Sequence, residues 1–88
     1  MARLLLTVND TFSISGRGIV LTPGLGPVGD ERFKVGDPIL LRHPDGSETR
    51  TNIGGLELPH PNPKHEVLIL LTELKKGDVP VGTEVWSA

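Results

Sequence analysis

Three groups of residues in this 88-residue sequence could do chemistry. His60 and His65 flank Pro61-Asn62-Pro63-Lys64, with Glu57 and Glu66 close by. This is a nitrogen and oxygen set of the kind that holds a transition metal. Metal ligands have to converge and be oriented by partners, whereas histidines fixed by prolines in a loop are ordinarily solvated, so no metal is expected. Gly24-Leu25-Gly26-Pro27-Val28-Gly29 has the letters of the dinucleotide fingerprint. That fingerprint needs a helix directly after it, and only a few residues separate Gly29 from Gly36-Asp37-Pro38, so the expectation is a glycine-proline loop and no bound nucleotide. Ser13, Ser15, Ser47 and Ser87 sit in no nucleophile elbow, and the carboxylates are scattered as on ordinary solvated strands. The expectation is a noncatalytic chain without a cofactor.

The elements that would position such groups are β-strands. Eleven glycines and eight prolines interrupt the chain so often that no window of a dozen residues shows apolar spacing at i, i+3, i+4 and i+7. Short β-rich runs remain: 4–8, 12–14, 18–22, 39–43, 48–53, 56–58, 66–73 and 83–87. His43-Pro44-Asp45-Gly46-Ser47 predicts a tight hairpin, since Pro presets φ and Gly accepts a positive φ. Lys76-Gly77-Asp78 predicts a second turn. Leu58-Pro59-His60-Pro61-Asn62-Pro63 predicts an extended loop, because alternate prolines cannot donate to a ladder. Val28-Gly29-Asp30 and Val35-Gly36-Asp37 echo each other, but nothing around them repeats, so they are expected to be two turns.

Composition bounds the rest. A chain of this length builds one core, so residues 1–88 are expected to form a single domain. With 36% hydrophobic and 3% aromatic residues, that core must be mostly Leu, Val and Ile. Cysteine is absent, which removes disulfides and thiolate chemistry and agrees with a cytoplasmic location. The apolar run Leu4-Leu5-Leu6 is too short to span a membrane. Nine Lys and Arg against eleven Asp and Glu give a net charge of -2, with no basic run, which argues against nonspecific nucleic-acid binding.

The run Val67-Leu68-Ile69-Leu70-Leu71 is apolar on both faces of a strand. One face fills the core, and the other is either covered by loops or open to a partner. Leu68 and Leu70 are therefore candidate interface residues, and a protein partner or a homodimer is the expected company.

Phe12-Ser13-Ile14-Ser15-Gly16-Arg17-Gly18-Ile19-Val20-Leu21-Thr22 resembles the start of the second domain of elongation factor Tu and related translational GTPases. Phe33 to Asp37 with Ile39 to Leu41, Gly55 to Leu58, Val67 to Leu71, Lys75 to Asp78 and Val81 to Val85 follow in family order. The resemblance implies an all-β fold, a small closed antiparallel β-barrel of about six strands, with Gly16, Arg17 and Gly18 as a structural corner. It also implies binding positions at Asp37, Glu57 and His60, and RNA or ribosome binding as the alternative function. Pro38, Pro59 and His60 stand where the family has a second acid, an aromatic residue and an arginine. Pro23 to Asp30 reads as an insertion. With no phosphate-cradling loop, the chain is expected to be a binding module and not a GTPase.

Overall fold

A computed structural model describes residues 3–25, 33–58 and 67–88. These form an all-β architecture of eight strands: β1 Leu4–Thr7, β2 Asp10–Ile14, β3 Gly18–Leu25, β4 Pro38–Arg42, β5 Glu48–Asn52, β6 Gly55–Glu57, β7 Val67–Leu71 and β8 Glu84–Ser87. One short 3-10 turn spans Lys76–Asp78. The strands make two antiparallel four-stranded sheets, β1-β8-β4-β5 and β2-β3-β7-β6. Among the described residues no helix is long and apolar enough to cross a membrane.

The expected single closed barrel of about six strands is therefore corrected to two sheets and eight strands. The physical reason lies in two joints. Val8 N donates to Thr83 O and Val8 O accepts from Gly82 N, both at 2.8 Å, so Val8 still belongs with the first sheet. The next residue, Asn9, donates its N–H to Thr22 O in the second sheet, also at 2.8 Å. The second joint repeats the switch. Ile53 bonds to Gly36 and Asp37 on the β4 side, and Gly54 N donates to Leu70 O on the β7 side at 2.9 Å. At each joint the first residue, Val8 or Ile53, is 1% exposed and anchors the corner in the core.

Directly opposed residues in an antiparallel pair share a face, so the ladders assign every side chain to the core or to the outside. The rows Leu6-Val85-Leu41 and Leu21-Ile69-Leu56 point inward from the two sheets. Most of these side chains are fully buried and belong to one hydrophobic cluster, with Leu56 packed at its margin. Strand β3 is longer than its sequence suggests. Pro23, Gly24 and Leu25, expected to open a loop insertion, continue the strand, and Leu25 is buried in the core and faces Val67 across an irregularity in the ladder.

The hairpin at His43-Pro44-Asp45-Gly46-Ser47 closes as a three-residue loop. Gly46 N donates to His43 O at 2.9 Å, His43 N donates to Ser47 O at 2.8 Å, and Gly46 sits at φ 90°. The proline-rich segment 59–66 and residues 26–32 lie outside the described residues, as do His60, His65, Glu66 and Arg32.

Candidate functional site

Asp37 closes a turn. Its carboxylate accepts the N–H of Lys34 at 2.9 Å, and its own N–H donates to Lys34 O at 3.0 Å. The same reciprocal pair recurs at Lys75 and Asp78, with distances of 2.8 and 2.9 Å. The meaningful internal echo is thus Lys34-Val35-Gly36-Asp37 with Lys75-Lys76-Gly77-Asp78. The Val-Gly-Asp tripeptides drew attention from it because they match in letters, whereas the recurring bond needs a residue three positions before the acid.

Glu57 and Arg17 are brought together. The Arg17 guanidinium, at the tip of the β2-β3 hairpin, forms an ion pair with Glu57 Oε1 on β6. The contact is one of charge and not of an aligned hydrogen bond, since Glu57 Oε1 is buried without a hydrogen-bond partner. Arg17 is held there by its turn, in which its N–H donates to Ile14 O at 2.9 Å and the flanking Gly16 and Gly18 lie at φ 75° and 135°. Sequence spacing gave no signal for this pair, because it joins positions forty residues apart.

The outer face of the β2-β3-β7-β6 sheet follows from its register. Phe12, Val20, Leu70 and Gly55 form one row across the four strands. Leu68 and Glu57 share the same face one step away. Val20 and Leu70 are 5% and 4% exposed, although neither belongs to the main core cluster. Leu70, expected as an interface residue, is therefore interior, and a Cβ added at Gly55 would meet its side chain at 2.9 Å. Leu68 is half-buried. Phe12, at 51% exposure, is the open apolar side chain of that row. It went unnoticed in the sequence because strand alternation alone does not say which row ends in solvent.

The outer face of the other sheet is built from charge. Arg42 lies 5.4 Å over the Trp86 ring and donates from Nε to Glu48 Oε2 at 3.2 Å, while Trp86 Nε1 donates to Glu84 Oε1 at 3.1 Å. At the hairpin end of this sheet an open groove of about 470 Å³ is lined in part by His43, Asp45, Asp78 and Val81. His43 is a structural clasp within it. The Thr83 hydroxyl donates to Pro80 O at 2.7 Å, so Thr83 accepts from His43 Nδ1 at 3.3 Å. That leaves His43 Nε2 to accept from the Thr49 hydroxyl at 2.8 Å in the neutral ring. Both imidazole nitrogens are thus taken up by the two threonines. Among the described residues no group of three or more His, Cys, Asp or Glu could hold a metal ion.

Comparison with protein-family models, with curated proteins and with solved structures finds no match to this chain.

Proposed function

We propose that this chain is a noncatalytic cytoplasmic binding module that meets a protein partner, or a second copy of itself, through the outer face of β2-β3-β7-β6. The observation that carries the reading is Phe12, 51% exposed at the open end of a row whose other apolar side chains, Val20 and Leu70, are buried. Exposed aromatic side chains, phenylalanine among them, are enriched at the cores of protein interfaces. The Arg17 and Glu57 pair on the same sheet supplies a polar rim.

The barrel reading draws on the same connectivity. Following hydrogen-bonded and covalent neighbours leads from β1 through β8, β4 and β5, across Ile53-Gly54 into β6, β7, β3 and β2, and back through Val8-Asn9. With each jointed pair counted as one strand the circuit would have six, which is what supports reading it as the barrel that the resemblance implies.

Light scattering on the eluting protein, with affinity capture from a lysate, tests the proposal. Phe12→Ser is expected to abolish partner capture, and any self-association made through this face, while leaving the thermal melt nearly unchanged. A wild type that stays monomeric and captures nothing overturns it. The RNA alternative draws on the cations of the other outer face, Arg42 over the Trp86 ring and Arg50 beyond Leu40 in the Trp86 row. Glu48 and Glu84 alternate with them, so that face carries no net positive charge to displace counterions from phosphates. A transfer-RNA titration at low salt is expected to be flat, and salt-sensitive binding weakened by Arg50→Ala would favour the alternative.

A further inference from the structure

The hairpin fixes which backbone groups of β5 are already used. His43 and Ser47 form a hydrogen-bonded pair, so the next such pairs along the ladder are Leu41 with Thr49 and Ile39 with Thr51. Ile53 continues the series by donating to Asp37 O at 2.9 Å. The N–H and C=O groups of Glu48, Arg50 and Asn52 therefore point away from β4. Along this edge β4 is the only described strand paired with β5. By contrast, β1 is flanked by β3 and β2 by the 3-10 turn.

The side chains at these positions complete the picture. On the outer face one row reads Thr7-Glu84-Arg42-Glu48 and the next reads Leu4-Trp86-Leu40-Arg50. Charges alternate along the first row, and Arg42 bridges to Glu48 at 3.2 Å. The alternation stops at the β5 edge, which has no further partner strand among the described residues. Beside it stands Arg50, exposed and without a side-chain bond among the described residues.

We propose that two copies of this chain pair antiparallel through β5, with a two-fold axis between their Thr49 residues. In that register Glu48 of each copy faces Arg50 of the other. Both are outward-pointing positions, so each pair exchanges two backbone hydrogen bonds. The row then runs Glu84, Arg42, Glu48 and Arg50 of the second copy, alternating in sign across the boundary. Charge selects this register, because centring the axis on Arg50 would put two guanidinium groups opposite each other. An interface built on one five-residue strand falls well below the roughly 1,600 Å² of a standard complex, so the dimer is reversible and concentration-dependent.

Sedimentation across a wide concentration range, with circular dichroism to confirm folding, tests the pairing. Wild type is expected to dimerise, more weakly as salt rises. Arg50→Glu and Glu48→Arg, both at exposed positions, are each expected to be monomeric because they place like charges opposite each other. Mixing these two variants is expected to restore a heterodimer, since two acidic side chains on the β5 edge of one then face two basic side chains on that of the other. A wild type that remains monomeric at every concentration overturns the pairing. So does a dimer that survives Arg50→Glu. If that surviving dimer is lost in Phe12→Ser, self-association belongs to the other sheet and the proposed function stands without the edge.

Discussion

The two sheets present the same inner surface and opposite outer ones. Inward, both pack branched aliphatic side chains into one cluster, with Leu41 and Val85 on one side and Leu21 and Ile69 on the other. Outward, β1-β8-β4-β5 carries Arg42, Glu48, Arg50 and Glu84 beside Leu4, Leu40 and Trp86, whereas β2-β3-β7-β6 carries Phe12 and Leu68 over the buried Val20 and Leu70. The inner pattern follows from what a small core requires, and it is the outer difference that points to function. A charged face with a free edge recognises by register, and an apolar face recognises by shape.

The sharpest way to break the comparison is at the hairpins. Gly18 and Gly46 both lie at positive φ, but their surroundings differ. A Cβ at Gly46 would meet nothing within 4 Å, while one at Gly18 would overlap the Leu71 carbonyl oxygen. Gly46→Ala is expected to cost about 1 kcal/mol for backbone conformation alone. Gly18→Ala forces β3 away from β7 and is expected to cost on the order of 4 kcal/mol or more, enough to unfold a marginal domain. Thermal melts of the two variants side by side measure the difference, and equal losses would mean that β3 and β7 are not packed as closely as described.

The apolar outer face comes next. Leu70→Ala is expected to cost about 2–4 kcal/mol because the side chain is buried. Phe12→Ala is expected to cost under about 1 kcal/mol, since half of the ring is already in water. A denaturation midpoint that falls as much for Phe12 as for Leu70 would make Phe12 a core residue and remove the anchor of the proposed interface.

These two positions also mark how far the sequence could be read. The turn at Pro44-Asp45-Gly46 was legible because its chemistry is local, and the eight short runs closely anticipate the eight strands. The apolar run at Val67 to Leu71 was legible as a strand, but its exposure was not. Leu70 is buried, and its row neighbours, Val20 on β3 and Gly55 on β6, lie up to fifty residues away in sequence. The division into two sheets was missed for the same reason. Whether a strand continues in one sheet or crosses to another depends on which partners receive the bonds of Val8-Asn9 and Ile53-Gly54, and no local pattern records that. At the candidate site, Arg17 and Glu57 were each singled out, yet for separate roles. Phe12 carried no individual signal because a lone aromatic on a strand is equally at home inside.

A smaller effect probes the rim of the apolar face. Arg17 and Glu57 have side chains 55% and 28% exposed, so their attraction is screened by water. Glu57→Gln is expected to lower stability by no more than about 1 kcal/mol, and less at high salt. A loss of several kcal/mol in a melt would show that the pair pins the hairpin across the sheet instead of edging it.

The smallest expected effect separates the two hairpins by pH. Asp45 has its carboxyl held below the ordinary value of 3.8, chiefly by the Ser47 hydroxyl and then by the Ser47 N–H. Both donate to Asp45 Oδ1, at 2.6 and 2.9 Å. A carboxylate with a lowered folded-state pKa stabilises the fold above its unfolded pKa, and that contribution is lost as pH falls through the folded value. The β4-β5 turn should therefore loosen on acidification below 3.8, while the β2-β3 turn, whose Ser15-Gly16-Arg17 has no carboxylate, should not respond through its own residues. Amide exchange or chemical shifts at Gly46 and Gly16 across an acid titration would read this directly. Ser47→Ala should move the Gly46 transition to higher pH and leave Gly16 in place. A transition common to both glycines, unmoved by that substitution, would show global acid unfolding and remove Asp45 as a local source of the difference between the sheets.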